Sequence, residues 1–160
     1  MSTAFLLRST NSEDFTYFGR LNFLTDTYGD EHGELSSGFD EDTRFYIDSW
    51  DPNDGVIAFD HHQIPAGGLW WCWGTPGHHG RGFVDKQTPE LALAVEQRFG
   101  GKGVAKQLFA ACFEQLRARG TKAVSLCVSH ENTKARSLYE KLGFELVRND
   151  VDYAVMRRDL

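Results

Sequence analysis

The stretch from Leu91 to Leu116, LALAVEQRFGGKGVAKQLFAACFEQL, constrains this chain most, because its hydrophobic period changes once, across a cluster of glycines. Leu91, Leu93 and Val95 alternate with Ala92 and Ala94 with no polar side chain among them, the pattern of a strand buried on both faces. Val104, Leu108, Phe109, Cys112 and Leu116 then recur at helical spacing and form one apolar stripe. A strand, a glycine turn and a helix in immediate succession predict a mixed α/β architecture.

Gly100, Gly101 and Gly103 surround Lys102 at the predicted helix start. Glycine lets a backbone approach a ligand closely, and the first turn of a helix has amide hydrogens without internal acceptors. The helix dipole favours an anion there by about 0.3–1 kcal/mol in exposed settings, so the turn reads as a phosphate seat, reinforced by Lys102 and Lys106. A glycine turn before a helix is equally compatible with a purely structural role. Neither GxxxxGK[ST] nor a GxGxxG after a first strand is present.

The downstream segment Asn132-Thr133-Lys134-Ala135-Arg136-Ser137-Leu138-Tyr139-Glu140-Lys141-Leu142-Gly143-Phe144 resembles the N-x-x-A-x-x-L-Y-x-x-x-G-F segment of the GNAT-type N-acetyltransferases. The region from Leu93 to Ala105 is similar to that family's acetyl-CoA loop, [QR]-x-x-G-x-[GA], between strand and helix. One position departs: the family's Gln or Arg falls on Gly100, and Arg98 lies two residues earlier. The resemblance covers Glu90 to Phe144 closely and the first 85 residues hardly at all.

Length places the 160 residues in one domain, 1–160, whose cofactor half runs from about 88 to 144. No run approaches a membrane span, and the short apolar block Phe5-Leu6-Leu7 lacks the basic lead-in of a signal peptide. Cys72, Cys112 and Cys127 each sit in apolar surroundings and read as reduced core thiols of a cytoplasmic protein. The net charge of −6 hides an asymmetry: residues 1–80 hold three Arg and 13 acids, whereas residues 81–160 hold 14 basic and 10 acidic residues. A basic half carrying the turn suits a polyanion, and an acidic half would attract a cationic acceptor, although solvated surface acids account for it equally. A pI near 5.5 argues against nucleic-acid binding. His61-His62 and His78-His79 lack HxH, HxxxH or CxxC spacing, so no metal site is expected.

In chain order, Phe5 to Arg8 reads as a strand, and Asn11 or Ser12 caps a helix carrying Phe15, Phe18, Leu21 and Leu24. The segment Tyr28 to Glu34 breaks that helix, and a second is predicted over Asp40 to Trp50. Val56 to Phe59 and Gly68 to Trp73 read as neighbouring strands, with Trp71 and Trp73 on one face and Trp70 and Cys72 on the other. After the central helix come a buried strand, Ala123 to Val128, and a helix capped by Asn132 and stopped by Gly143. A hairpin of Phe144 to Arg148 and Asp152 to Met156 closes the chain.

The resemblance implies the family's fold: a curved, mostly antiparallel sheet of about seven strands flanked by about four helices, with splayed central strands. It implies acetyl-CoA as co-substrate, no metal, and transfer of acetyl to a primary amine by direct attack in a ternary complex. Acyl transfer from a thioester needs a neutral amine, stabilisation of the carbonyl oxygen and a proton for the departing thiolate. On the family pattern the Val95 amide polarises the thioester, and the amides of Gly101, Lys102, Gly103, Val104, Ala105 and Lys106 hold the pyrophosphate, with Gly100 beside them on the cofactor side. Asn132, Ala135 and Tyr139 complete the cofactor side, with Tyr139 as general acid. Glu90 or Glu96 is the base, Glu90 preferred, through a water. Tyr28, Glu31 and Trp71 are the expected acceptor contacts. The acceptor is a small cationic amine or a protein or peptide amine, and a homodimer fits the resemblance. Two other readings stand beside this one: a module that binds acyl-CoA without turnover, motivated by Gly100, and a nucleic-acid or protein-interaction domain with an incidental glycine turn.

Overall fold

The computed structural model describes residues 4–160. Among them are seven strands, β1 (Leu6–Ser9), β2 (Gly55–Phe59), β3 (Pro65–Cys72), β4 (Glu90–Val95), β5 (Ala123–Ser129), β6 (Glu145–Asn149) and β7 (Tyr153–Asp159). Four α-helices accompany them: α1 (Phe15–Asp26), α2 (Phe39–Thr43), α3 (Val104–Ala118) and α4 (Thr133–Lys141). The strands hydrogen-bond in the order β1-β2-β3-β4-β5-β7-β6. The β1–β2, β2–β3, β5–β7 and β6–β7 ladders run antiparallel, whereas β4 and β5 run parallel and register at Glu90 with Ser125.

Two compact units divide the chain. The first comprises Met1–Cys72 and Ala92–Gln115. Its core joins Phe18, Leu21 and Leu24 of α1 to Ile57, Trp70, Cys72 and Ala94 of the strands. Stacked and edge-on rings of Phe18, Trp50 and Trp70 fill its centre, with Phe18 and Trp50 centroids 4.9 Å apart. Asn11 does cap the N-terminal helical segment: its side chain accepts from the Glu13 N–H, and the Asp14 side chain accepts from the Asn11 N–H. The segment first makes a 3₁₀ turn over Ser12–Asp14 and becomes α-helical at Phe15.

The predicted helix over Asp40 to Trp50 is instead α2 followed by a π turn, Arg44–Asp48. Phe45, Tyr46 and Ile47 are all buried in this wider turn. In β3 both faces are core: Trp70, Trp71 and Cys72 are buried, and only Trp73, just past its end, is 45% exposed.

The second unit comprises Trp73–Leu91 and Leu116–Leu160. Val124, Leu126, Ala154, Val155 and Met156 are buried in β5 and β7. Every residue of β6 is exposed, and its ladder to β7 shifts register between Leu146 and Arg148. Arg148 crosses to the 73–89 segment and donates to the Phe83 carbonyl at 3.0 Å.

Candidate active site

The glycine turn is built from the end of β4. The Glu96 N–H donates to the Ala66 carbonyl at 2.8 Å, and Gln97–Phe99 then form a 3₁₀ turn. Phe99 is buried edge-on against Phe5, with centroids 5.9 Å apart. The Gly100 N–H donates to the Gln97 carbonyl at 3.2 Å, and Gly100 itself is extended, at φ −60° and ψ 143°. Its amide therefore serves the turn.

Gly101 and Gly103 have φ of 75° and 84°, a left-handed conformation that side chains rarely adopt. A Cβ at Gly101 would meet nothing within 4 Å, so the space beside that backbone is open. Val104 is buried and begins α3, whose first-turn amides have no intrahelical acceptor. Lys102 and Lys106 are exposed at this helix start, and the Lys102 ammonium lies 5.5 Å from the Phe99 ring centre. The residues present thus fit a pyrophosphate: open amides, left-handed glycines and two cations. Within β4, Ala92, Leu93 and Val95 are only partly buried, a correction to the expectation of a strand enclosed on both faces.

Glu96, the alternative base, is the hub of a network. Arg20 of α1 donates from Nε to Oε2 at 3.1 Å and from Nη2 to Oε1 at 2.8 Å, and the Tyr17 hydroxyl donates to Oε2 at 2.7 Å. Burial alone would raise the Glu96 carboxyl, but Arg20 and Tyr17 outweigh it and hold it below its ordinary range. Burial pushes the Tyr17 phenol far up, and its bond to Glu96 adds to the shift. Sequence reading singled out neither Tyr17 nor Arg20. Their i, i+3 spacing places them together on α1, but nothing local connects them to an acid 76 positions away.

The expected acceptor residues divide. Tyr28 is 54% exposed with φ of 55°, at the C-terminal end of α1. The Glu31 N–H donates to the Gln97 Oε1 at 3.2 Å, and its carboxylate lies 3.7 Å from Arg20. Trp71 is fully buried, with its backbone N–H donated to the Asp54 carbonyl, so it offers no surface to a ligand. The core on both faces of β3 encloses it.

In the second unit, Glu90 is 3% exposed at the start of β4. Gly82 packs against it: a Cβ there would lie 2.9 Å from the Glu90 carboxyl carbon, and the Gly82 carbonyl accepts from the Ser125 hydroxyl at 2.7 Å. Asn132 caps α4, its Oδ1 accepting from the Ala135 N–H at 3.3 Å, so both residues have a local structural task. Tyr139 is half-buried on α4, with its ring 6.0 Å from that of Phe144. Burial pushes its phenol well above the ordinary value, and Cys127 nearby adds to the rise. It holds its proton at neutral pH. Among the described residues, no group of three or more His, Cys, Asp or Glu is arranged to hold a metal ion. Nor, among them, is any helix long and apolar enough to cross a membrane.

Comparison with known proteins bears on these parts. Residues 21–144 match the Acetyltransferase (GNAT) family. The mycothiol acetyltransferase of Saccharomonospora viridis is 33% identical over 108 residues, 67% of this chain and 35% of that protein. The ribosomal protein bS18 alanine N-acetyltransferase of Haemophilus ducreyi is 39% identical over 64 residues, 40% of this chain and 44% of the relative. The chain thus matches less than half the length of each of these curated relatives. Among solved structures, the PaiA N-acetyltransferase of Thermoplasma acidophilum in complex with coenzyme A superposes with a TM-score of 0.69 at 18% identity, covering 99% of this chain and 100% of the other. That likeness is one of fold. Since the family pattern extends from within α1 through the glycine turn to the end of the Asn132–Phe144 segment, the chain belongs to the Acetyltransferase (GNAT) family.

Proposed function

We propose that this chain transfers an acetyl group from acetyl-CoA to a primary amine by direct attack in a ternary complex. The observation that carries the reading is the glycine turn: left-handed Gly101 and Gly103, open space beside the backbone, and a helix start rimmed by Lys102 and Lys106. Acetyl-CoA, when bound, supplies an activated thioester. The amides from Gly101 to Lys106 bind its pyrophosphate, and the Val95 amide orients the thioester carbonyl and stabilises charge on its oxygen. Tyr139, kept protonated by its surroundings, donates the proton that the departing thiolate needs. Glu90 accepts the proton from the attacking amine through a water. Glu96 is less suited to this role, because its oxygens are engaged by Arg20 and Tyr17.

The names of the relatives span a small-molecule acetyltransferase and an enzyme acting on a protein alanine, so both acceptor classes remain open to test. The acidic first half, with exposed Asp30 and Glu34 in the loop after α1, favours a small cation. A cytoplasmic location and a homodimer accompany this reading.

Thermal unfolding with CoA and acetyl-CoA, in wild type and Gly103→Glu, tests the seat. Ligand at 100 times its dissociation constant adds about 2.7 kcal/mol in wild type. The variant places a carboxylate in the seat and a side chain on a left-handed backbone, and its ligand-induced shift is expected to vanish. Thioester turnover against an amine panel then separates a transferase from a module that only binds; a wild type without a shift would overturn both.

A further inference from the structure

Arg20 faces two carboxylates at once. Its side-on fork to Glu96 fixes the residue that opens the glycine turn, and the same Nη2 lies 3.7 Å from Oε2 of Glu31. A second link runs parallel to it, from the Glu31 N–H to the side chain of Gln97. Glu96 is also tied through its backbone, with its N–H to Ala66 and its carbonyl accepting from Phe99. The turn and the loop after α1 are therefore joined through two adjacent turn residues and one loop residue.

We propose that Arg20 is a positioning residue that couples the Tyr28–Glu34 loop to the glycine turn, so that a polyanion seated on the turn restrains the loop. This rests on reading the turn as a CoA seat. The exposed Arg20–Glu31 pair is weak alone. The rigid guanidinium fork lets it act together with the Gln97 link, because its orientation is already set by Glu96. Glu31 accordingly serves as a strut, its charge matched by Arg20, and a cationic acceptor would meet Asp30 and Glu34 instead.

Limited chymotrypsin digestion, with cleavage after the exposed Tyr28 followed by mass spectrometry, tests the coupling. CoA is expected to slow that cleavage about fivefold or more in wild type, since restraint lowers local opening. Arg20→Ala should keep its CoA-induced thermal shift and lose most of the protection, with Arg20→Lys recovering only part of it. Because Arg20→Ala removes a partner of a buried carboxylate, the double variant Glu31→Gln, Gln97→Ala is measured beside it. It leaves the Arg20–Glu96 bonds intact and should lose the same protection. Full protection in either variant would overturn the coupling, as would a wild type that gains thermal stability from CoA without slower cleavage. A wild type without any CoA-induced shift would overturn the reading of the seat, and the coupling with it.

Discussion

Glu90 and Glu96 stand at the two ends of β4, both buried, at 3% and 7% exposure. Their surroundings differ in kind. Glu96 is met by a guanidinium fork and a phenol, three donors on two oxygens, and holds its charge more firmly than a carboxylate in water. Glu90 is packed beside the backbone of Gly82, opposite Ser125 in the parallel register. Burial by itself does not mark a catalytic base. A carboxylate whose charge is already matched has lost the proton affinity that base catalysis uses, and gains value as an anchor instead.

The largest test of that contrast is kinetic. Glu90→Gln should lower kcat by about 10²–10⁴-fold, with acetyl-CoA KM nearly unchanged, if the amine loses its base. Tyr139→Phe should do likewise by removing the proton donor. Both variants should retain the CoA-induced thermal shift, and a Glu90→Gln enzyme at wild-type rate would break the comparison. Next in size, Glu96→Gln should cost about 1–3 kcal/mol in urea unfolding, because it removes the buried charge that the Arg20 fork and the Tyr17 hydroxyl meet.

That loss carries a pH signature. The Glu96 carboxyl is held below its ordinary 4.5, so its contribution is fully present above that value and falls away as pH drops toward the folded pKa. The stability gap between wild type and Glu96→Gln should therefore be constant from pH 6 to 7 and shrink on acidification below about 4.5. A gap that widens in acid would sink the assignment. The smallest effect is expected at α4: Asn132→Ala removes the cap on the Ala135 N–H and should cost about 1 kcal/mol in thermal unfolding.

Much of the fold was legible because it is written in local periods. The alternation of Leu91 to Val95, the helical stripe from Val104 to Leu116 and the cap at Asn132 each recur in the structure within a residue or two. The glycine turn was legible for the same reason, since glycine adopts the left-handed backbone found at Gly101 and Gly103 far more readily than other residues. Less legible was the run Phe45-Tyr46-Ile47, where three adjacent apolar residues suit a helix, a strand or a π turn equally until the core claims all three. Trp71 was misassigned to a pocket because strand alternation distinguishes two faces without telling which of them is covered.

The sequence by itself therefore determined the order of elements, the position of the glycine turn and Tyr139 on a capped helix, which depend on neighbours within about four residues, and the family, which two such local motifs mark. Tertiary structure alone decided that Glu96 is an anchor, that Glu31 is tied to Arg20 and Gln97, and that Gly100 spends its amide inside the turn. Those outcomes rest on side chains 11 to 79 positions apart, or on turn geometry around Phe99 buried against Phe5. Contacts of that range are selected by the packing of whole elements, which no local pattern records.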